Sequence, residues 1–441
     1  MSWLSKDRIK EFIKYDYNEY KFPLVVMARF ACFLLKLINK HDKAFSIASN
    51  VYRTGWPGSY DLGLDYAKFY FFEKPSMGKL LVDNYINAIE PLENTKKFFD
   101  DPLDMLDGVV TVLQAPANGN KGVLIIKYSY YFPLFIRLYN VKAVAENYHI
   151  ILEPSWAGFC DLNLLSYLQF PFPVFVQAYE KRDKQFLEAL NSNLIPLDVG
   201  PSWFINHENF NLPTENSVRD IDIIMVAAWA RYKRHKEFFN AIKNLKAQMP
   251  ELKIFLIGYP VDMTKSQVLD IAKQAGFEHN VTILEWITPE EVADHQRRAK
   301  VNVLWSKFEG NNRAIIEGMF SNTPVVLRRG HNYGEHYDFI NEQTGCFADE
   351  ANLSQTLLSM IQSQEKFEPR NYVMEHRNCI RAAKIMGDTI ERVEHSRGNS
   401  GFKADLVVKV NELHGMKYLN QSADFFKDCY DELASHVSQN S

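Results

Sequence analysis

Two glutamates, Glu309 and Glu317, lie eight positions apart in the segment "LWSKFEGNNRAIIEGMFSNTPVVL", residues 304–327. Glu309 lies in a loop after an apolar run, and Glu317 lies in a stretch with the composition of a short helix. Between them, Gly310 allows a backbone to approach a ligand closely, and Asn311 or Asn312 can cap the helix. A capped helix start offers free N–H groups to phosphate, and a carboxylate within the helix can accept two hydroxyl hydrogen bonds. The spacing suits a sugar phosphate or nucleotide, although two glutamates at this separation are common by chance and most are solvated.

A basic run, "RYKRHK" at residues 231–236, indicates a second part of an anion site. It follows the apolar run "IDIIMVAAW" directly and begins a helical pattern. Cations are disfavoured at a helix N-terminus, so a merely solvated basic helix start is electrostatically unusual, and a bound anion would make it favourable. The basic side chains of this run, Lys233 and Arg231 among them, can stabilise negative charge on such an anion.

The elements around these residues alternate between apolar strands and helices. Uninterrupted apolar strands that alternate with helices predict a parallel sheet covered on both faces. Thr288, Pro289 and Glu291 form a capping-box pattern at the start of one of the helices. In such sheets ligands bind beyond the carboxyl ends of the strands, where the loops with Glu309 and Lys233 lie. The predicted strands are 221–229, 253–258, 280–285, 301–305 and 324–327, and the predicted helices are 235–249, 265–276, 288–299 and 313–320.

The amino-terminal half has a weaker version of the same alternation, which predicts a second α/β domain. Residues 50–120 are aromatic-rich and give no ordered pattern. We predict a first α/β domain over 1–210, a second over 211–394 and a helical extension over 395–441, with helices over 402–416 and 422–437. The strands predicted in the first domain are 121–128, 148–154 and 172–179, and the helices are 130–146 and 181–192.

Composition limits the classes of protein to which the chain can belong. Its 441 residues include 46% hydrophobic residues, enough for a large core. The 50 basic and 54 acidic residues give a net charge of -4, which argues against a general nucleic-acid binder. Five dispersed cysteines, without a C-x-x-C pair, favour reduced thiols in a cytoplasm over a disulfide framework or a zinc site.

The most apolar part of the chain lies within residues 22–43. Arg29 and Lys36 interrupt it, so no uncharged stretch is long enough to span a bilayer, and the preceding residues lack the apolar core of a signal peptide. In a helix, Arg29, Lys36, Lys40 and Lys43 project from one stripe. One interpretation is a helix on the inner face of a membrane, in peripheral contact with anionic lipid. The other, which we favour because the segment is apolar all round, is a helix buried on its wide face with its lysines in water.

The segment "SKFEGNNRAIIEGMFSNTPVV" resembles the donor-site signature of glycosyltransferase family four, the retaining group 1 enzymes of the GT-B fold. The signature has Ser, two residues, Glu-Gly, six residues, Glu, a turn of small residues and then Pro-Val-Val. "MVAAWARYKRHKEFFNAIKNLKAQMPELKIFLIGYP" is similar to the family's pyrophosphate segment, and the likeness extends over about residues 221–347. The resemblance implies two Rossmann-like domains that face each other across a cleft: an N-terminal acceptor-side domain over 1–210 and a C-terminal nucleotide-sugar-binding domain over 211–394.

The resemblance also implies roles for individual residues. Glu309 would contact the donor hexose and Lys233 would neutralise the diphosphate, so these two are the expected catalytic residues. Glu317 would bind the ribose, and the backbone around Trp286 and Ile287 would border the base. The full set of expected donor-binding residues is Arg231, Gly258, Trp286, Ile287, Gly310, Asn311, Asn312 and Glu317.

The implied reaction is the transfer of a hexose-type sugar from a nucleotide-diphosphate sugar to a glycan or glycolipid acceptor in polysaccharide biosynthesis, with retention of configuration. No cofactor and no metal is implied, because the basic run would neutralise the charge of the diphosphate. In addition, no Asp-x-Asp motif is suited to a metal bridge. Two alternatives stay open: a binding protein that keeps the GT-B fold without catalysis, and another GT-B enzyme such as a sugar-nucleotide epimerase or phosphorylase.

The sequence departs from the family pattern at several positions. The arginine usual five residues before Lys233 is replaced by Ala228, and the Phe-Gly usual after Glu-Gly is replaced by Asn311-Asn312. The N-terminal domain has no histidine in the strands expected near the reacting carbon. Glu153, Tyr179 or Glu180 would occupy that space instead. Glu335 stands where the family has a loop glutamate.

Overall fold

The computed structural model divides into two compact units. Unit 1 consists of Met1–Pro201, Ala383–Val410 and His414–Ser441, and unit 2 consists of Ser202–Ala382 and Asn411–Leu413. The structure describes residues 21–93, 95–210, 212, 218–330, 332–333, 337–412 and 415–438, without the side chains of 332, 333, 412, 415–417 and 423. Glu335 therefore lies outside the described residues. None of the helices within these ranges has the length and apolar character needed to cross a membrane.

Unit 1 begins with a group of helices that precede its sheet. They occupy much of the aromatic-rich region that the sequence pattern left unordered, because their aromatic side chains pack on one another instead of marking a regular period. Tyr52 and Tyr70, for example, are fully buried. The helices are α1 (Lys21–Leu37), α2 (His41–Arg53), α3 (Ser59–Lys68), a π-helical turn (Phe69–Glu73), α4 (Pro75–Asn87) and α5 (Lys96–Asp100).

The sheet of unit 1 has five strands in the order β1-β2-β3-β4-β5. β1 is antiparallel to β2, and the remaining pairs are parallel. Every residue of β2, β3 and β4 is buried, as expected for a sheet covered on both faces. The strands are β1 (Val110–Gln114), β2 (Gly122–Lys127), β3 (Tyr148–Glu153), β4 (Val174–Gln177) and β5 (Leu194–Leu197), and the helices between them are α6 (Tyr131–Leu138), α7 (Val141–Asn147), α8 (Leu162–Leu165) and α9 (Lys181–Leu190).

Unit 2 has a six-stranded, fully parallel sheet in the order β13-β11-β9-β6-β7-β8. Numbered along the chain, this is the order 6-5-4-1-2-3 of a doubly wound, Rossmann-like sheet, in which the direction of winding reverses between the first and fourth strands. Here that reversal lies between β6 and β9. The strands are β6 (Ile221–Val226), β7 (Ile254–Gly258), β8 (Val281–Glu285), β9 (Ala299–Leu304), β11 (Val325–Arg328) and β13 (Gly345–Ala348), and a separate short pair consists of β10 (Phe308–Glu309) and β12 (Asn332–Tyr333).

The helices of unit 2 cover both faces of this sheet. Along β9, Val303 packs into one hydrophobic cluster and Leu304 into another, so successive side chains enter opposite layers. The predicted capping box of Thr288 and Glu291 is present. The predicted helix 235–249 is interrupted at Ile242 and forms two. The helices are α10 (His235–Ala241), α11 (Lys243–Gln248), α12 (Lys265–Gln274), α13 (Pro289–Arg298), α14 (Arg313–Phe320), α15 (Leu353–Gln362) and α16 (Pro369–His376).

The carboxyl-terminal part of the chain differs from the predicted helical extension. After α17 (Cys379–Ser396), the predicted helix 402–416 is wrong: the chain forms β14 (Lys409–Glu412) and β15 (Gly415–Tyr418), followed by α18 (Lys427–Ala434). The reason is tertiary. The Val407 N–H donates to the Leu113 carbonyl oxygen of β1, 2.8 Å away, instead of to the carbonyl oxygen four residues earlier in its own chain segment, as a helix would require.

The predicted α/β class is confirmed in both units. In unit 2 each of the predicted strands and helices is present, with bounds that differ by a few residues. In unit 1 the three predicted strands are present, whereas β1 and β5 were missed, because both are short and carry a glutamine or proline within an otherwise apolar run.

Candidate functional site

Lys233 and Glu309 form an ion pair at the carboxyl edge of the unit 2 sheet. Lys233 ends a short 3-10 turn, Arg231–Lys233, in the loop after β6, and Glu309 ends the two-residue strand β10 in the segment after β9. Since β6 and β9 are the neighbours at which the winding reverses, both residues lie where open α/β sheets bind their ligands. The two side chains are only 9% and 10% exposed. The structure thus brings together the two residues that the sequence named as catalytic.

Several further contacts position this pair. The Ser306 hydroxyl donates to the same Glu309 oxygen, Oε1, that Lys233 contacts. The Tyr232 ring stacks on Phe308 with centroids 4.6 Å apart, and the Lys307 N–H donates to the Tyr232 carbonyl oxygen at 2.7 Å. Burial, with Glu309 as a further cause, raises the pKa of Tyr232 to about 12, so its hydroxyl is neutral. The loops after β6 and β9 therefore form one connected layer.

Two arginines extend the positive charge around this layer. Arg234 adopts a left-handed backbone conformation, φ 61°, and its guanidinium contacts Glu350 at 2.7 Å. Arg328, the last residue of β11, lies 3.9 Å from the same carboxylate and donates to the Ser306 carbonyl oxygen at 3.4 Å. Arg231, in contrast, has an exposed side chain, while its backbone N–H donates to Asp262 at 2.9 Å. Arg328 was missed by the sequence analysis, although its place at a strand end was a usable signal.

The loop between Glu309 and α14 is held in place from several directions. Asn312 is the N-cap of α14, and its side chain accepts from the Ile315 N–H at 3.2 Å. The side-chain oxygen of Asn311 accepts from the Ser202 N–H. The buried Tyr337 hydroxyl donates to the Gly310 carbonyl oxygen at 3.0 Å and accepts from the Asn312 N–H at 3.2 Å. Tyr337 was missed because it lies 25 or more residues away in sequence.

Glu317 lies on the second turn of α14. Its side chain is 15% exposed and lies 3.4 Å from the guanidinium of Arg313, one turn earlier. Burial raises the pKa of this carboxyl, and Arg313 partly opposes that shift. The ion-pair partner of Glu317 is thus on its own helix.

Gly258, the last residue of β7, is required by the protein's own packing. A Cβ at this position would lie 2.1 Å from the Ala227 carbonyl oxygen and 3.1 Å from the Trp229 ring. The resemblance implies that this glycine lets the chain pass close to the donor. The close approach of the chain after β6 is a reason for the glycine within the protein itself.

An aromatic pair lies on the loops after β7 and β8. Trp286 is 71% exposed, adopts a left-handed conformation with φ 57°, and stacks on Tyr259 with centroids 5.2 Å apart. The backbone N–H of Trp286 donates to the Gly258 carbonyl oxygen at 3.2 Å. Ile287 is partly buried and packs on the cluster that contains Ile224. A non-glycine residue in this conformation costs free energy, and the stack presents an exposed planar aromatic surface.

In unit 1, the residues named in place of a catalytic histidine have structural partners. Glu153, at the carboxyl end of β3, is 4% exposed and pairs with the fully buried Lys409 at 2.5 Å. Gln177 donates to the same Glu153 oxygen at 3.3 Å. Glu180 lies 3.3 Å from Arg182, and Tyr179 is 9% exposed. Glu153 is therefore engaged within the core of unit 1.

Within the described residues, no cluster of three or more His, Cys, Asp or Glu side chains could bind a metal ion. The chain does contain Asp220-Ile221-Asp222, but this lies at the amino end of β6. Asp220 pairs with Arg298 at 2.7 Å, and Asp222 pairs with Lys300 at 2.7 Å. These carboxylates are thus neutralised at the edge of the sheet opposite to Lys233 and Glu309.

Residues 209–377 match the family model of glycosyl transferases group 1. The match covers less than half of the 441 residues and lies within the Ser202–Ala382 part of unit 2. It includes the Lys233–Glu309 pair, the aromatic stack and α14. The chain therefore carries a group 1 domain over this range. No curated protein sequence matches the chain.

Solved structures with a similar backbone are known. The chain is similar to a TarM variant from S. aureus in complex with Fondaparinux, alpha-GlcNAc-glycerol and UDP, with a TM-score of 0.46 and 15% identity over 60% of this chain and 54% of that chain. It thus spans about half of the TarM chain. Sucrose-phosphate synthase from Thermosynechococcus elongatus has a TM-score of 0.46 and 16% identity, over 61% of this chain and 79% of that one. Anabaena HepE in complex with UDP and glucose has a TM-score of 0.46 and 11% identity, over 61% and 78%.

Proposed function

We propose that this protein is a retaining glycosyltransferase of the GT-B type, which moves a hexose from a nucleotide-diphosphate sugar to a glycan or glycolipid acceptor. The observation that carries this proposal is the Lys233–Glu309 ion pair at the winding reversal of the unit 2 sheet, inside the group 1 domain. Because Lys233 and Glu309 are both nearly buried, they place opposite charges side by side where little water has access.

Lys233 has the charge and position for the diphosphate of the donor. When the glycosidic bond breaks, negative charge grows on the departing phosphate, and a fixed ammonium group lowers the barrier because it stabilises that charge. The second cation of this layer, Arg328, adds to the positive potential. With the leaving phosphate as the base for the acceptor hydroxyl, attack from the same face of the sugar retains its configuration.

Glu309 has the position to bind the hexose. On donor binding, the ammonium of Lys233 is shared between phosphate and carboxylate, and Glu309 can accept a hydrogen bond from a sugar hydroxyl while Ser306 fixes its orientation. The start of α14 offers N–H groups to phosphate, Glu317 a carboxylate to the ribose, and the Trp286–Tyr259 stack an aromatic surface to the base.

The acceptor class is supported by an aromatic pair in unit 1. Tyr130 is 63% exposed and its ring lies 4.8 Å from that of Trp156, in the segments that follow β2 and β3. Exposed aromatic rings at strand ends suit the apolar faces of sugars, so we assign the glycan portion of the acceptor to this pair.

All five cysteines are free thiols, in line with a cytoplasmic location.

The experiment that tests this function combines donor binding with product analysis. The midpoint of thermal unfolding is measured with UDP, GDP, ADP and their sugars, since a ligand that binds the native state raises it. The best donor, labelled in its sugar, is then incubated with candidate acceptors. Transfer that is lost in Glu309→Gln, while the exposed variant Glu375→Gln retains it, supports the proposal.

The other outcomes separate the alternatives. A binding protein without catalysis, suggested by the engaged state of Glu153 in unit 1, would bind a sugar nucleotide but give neither transfer nor donor hydrolysis. An epimerase would change the sugar while it remains on the nucleotide. Unchanged affinity for the diphosphate in Lys233→Ala would show that the phosphate assignment is wrong.

A further inference from the structure

The helix α1 exposes a continuous apolar face. Seven large apolar side chains along it are 44–66% exposed, and Ile38 directly after the helix is 59% exposed. At 100° per residue the seven fall within an arc of about 140°. This reverses our expectation that the wide face of the segment is buried. The seven residues are Phe22, Val26, Met27, Phe30, Phe33, Leu34 and Leu37.

The opposite side of α1 attaches the helix firmly to unit 1. Val25 and Cys32, seven residues apart, are 3% and 0% exposed. The Cys32 thiol donates to the Ala44 carbonyl oxygen of α2 at 3.3 Å. The exposed face is thus presented by a packed element, and not by a detached helix with an arbitrary orientation.

Cations border this apolar face on the side next to the buried residues. Residues 21–41 contain Lys21, Arg29, Lys36 and Lys40 and no acidic residue. On the helical projection, Arg29 and Lys36 fall between the buried stripe and the apolar arc. Arg29 contacts Asp65 at 2.7 Å, and the Lys36 ammonium lies 3.4 Å from the centroid of the Phe69 ring. Both side chains are therefore fixed beside the apolar face.

A groove of about 620 Å³ continues the apolar face between α1, α3 and the π-helical turn. Val26, Phe30 and Phe33 line its apolar part, and Lys68 adds a third cation to Arg29 and Lys36. Asp65 and Glu73 are the acidic residues that line it. The three cations outnumber the two carboxylates, so the lining carries a net positive charge next to an apolar surface.

We propose that α1 docks unit 1 on an anionic lipid surface. A bilayer presents anionic headgroups above an apolar layer, and this order matches a face on which cations stand at the edge of large apolar side chains. The phenylalanines would enter the acyl boundary, while Arg29, Lys36 and Lys40 would lie at the level of the headgroups. Exposed apolar patches of this size are uncommon on monomeric proteins and mark interaction sites. The inference is independent of the proposed catalytic function.

Vesicle binding by the full chain tests this proposal. Flotation is measured with phosphatidylcholine vesicles that either contain or lack phosphatidylglycerol. The wild-type chain should bind the anionic vesicles at least roughly tenfold more tightly than the neutral ones, and added salt should weaken that binding. Phe30→Ser with Phe33→Ser should lower binding to anionic vesicles at least roughly tenfold.

Two controls accompany the double variant. Val218 and Ile380, 76% and 52% exposed in unit 2, provide the matched control Val218→Ser with Ile380→Ser, which should bind as the wild type does. Since Phe30 and Phe33 are both more than half exposed, thermal unfolding of their double variant should match the wild type.

No binding to anionic vesicles by the wild type, or equal binding by the Phe30/Phe33 variant, would overturn the proposal. So would a wild-type dimer that this variant converts to a monomer, because the face would then belong to a second copy of the chain.

Discussion

Lys233 and Glu309 are 76 positions apart in the chain and form an ion pair in which each side chain is about nine-tenths buried. The loops that carry them follow β6 and β9, which are neighbours in the sheet although two strands separate them in sequence. The doubly wound order of the sheet is what makes these loops adjacent. Each member of the pair balances a charge that would be costly to bury alone.

Removal of one member of this pair should destabilise the chain. Lys233→Met leaves the Glu309 carboxylate nearly buried without its cation, and the free energy of unfolding should fall by about 3 kcal/mol. The double variant Lys233→Met with Glu309→Gln should recover most of this loss, because the uncompensated charge is gone. Denaturant unfolding of the single and double variants measures both values. Equal stability of Lys233→Met and wild type would mean that the pair is not formed in solution.

The exposed stack of Trp286 on Tyr259 should matter for nucleotide binding and not for stability. Trp286→Ala removes an exposed side chain, so the free energy of unfolding should change by less than about 0.5 kcal/mol. Loss of one stacking contact should weaken nucleotide binding roughly three- to tenfold. Calorimetric titration with the nucleotide that raises the unfolding midpoint most gives this ratio. Val261, which is 61% exposed and lies with Tyr259 on the loop after β7, provides the control Val261→Ala, which should keep wild-type affinity.

Gly258 should not tolerate alanine. The added Cβ would lie 2.1 Å from the Ala227 carbonyl oxygen, and this backbone contact has to move, which should lower the free energy of unfolding by about 1–3 kcal/mol. Gly401 has no atom within 4 Å of the same added group, so Gly401→Ala is the matched control and should be close to neutral. Thermal unfolding of the two variants compares them directly. A neutral Gly258→Ala would leave space for a ligand as the remaining reason for the glycine.

Glu180 should make stability depend on pH in unit 1. Burial, followed by the charge of the fully buried Asp183, raises the pKa of Glu180 from 4.5 to about 8. The folded chain therefore holds a proton that the unfolded chain has released. The stability that this proton contributes is complete below about pH 4.5 and is lost as the pH rises through about 8.

Glu180→Gln should remove this dependence, because the amide is neutral at every pH. Relative to wild type, the midpoint of thermal unfolding of Glu180→Gln should rise between about pH 5 and pH 9, and at the higher pH the variant should be the more stable chain. Glu375→Gln, at a side chain that is 75% exposed, is the control and should follow the wild-type curve. A constant difference between Glu180→Gln and wild type over this range would contradict the raised pKa.

Most of unit 2 could be predicted because its signals are local. Continuous apolar runs such as 301–305, the capping box at Thr288 and the asparagine cap of α14 act within a few residues, and each is found in the structure. Predictions failed where distant partners decide the conformation. The segment that contains Val407 is extended because of its hydrogen bond to Leu113, and no nearby residue signals that pairing.

The same division holds for the candidate site. The sequence alone determined the strand–helix alternation, the segments after the strands in which Lys233, Glu309 and Trp286 lie, and the helix that carries Glu317, since hydrophobic period and capping are properties of neighbouring residues. Only the tertiary structure decided that Lys233 meets Glu309, that Tyr259 supports Trp286, and that the wide face of α1 is exposed. Contacts between side chains depend on strand order and on which faces pack together, and these follow from the burial of the whole chain.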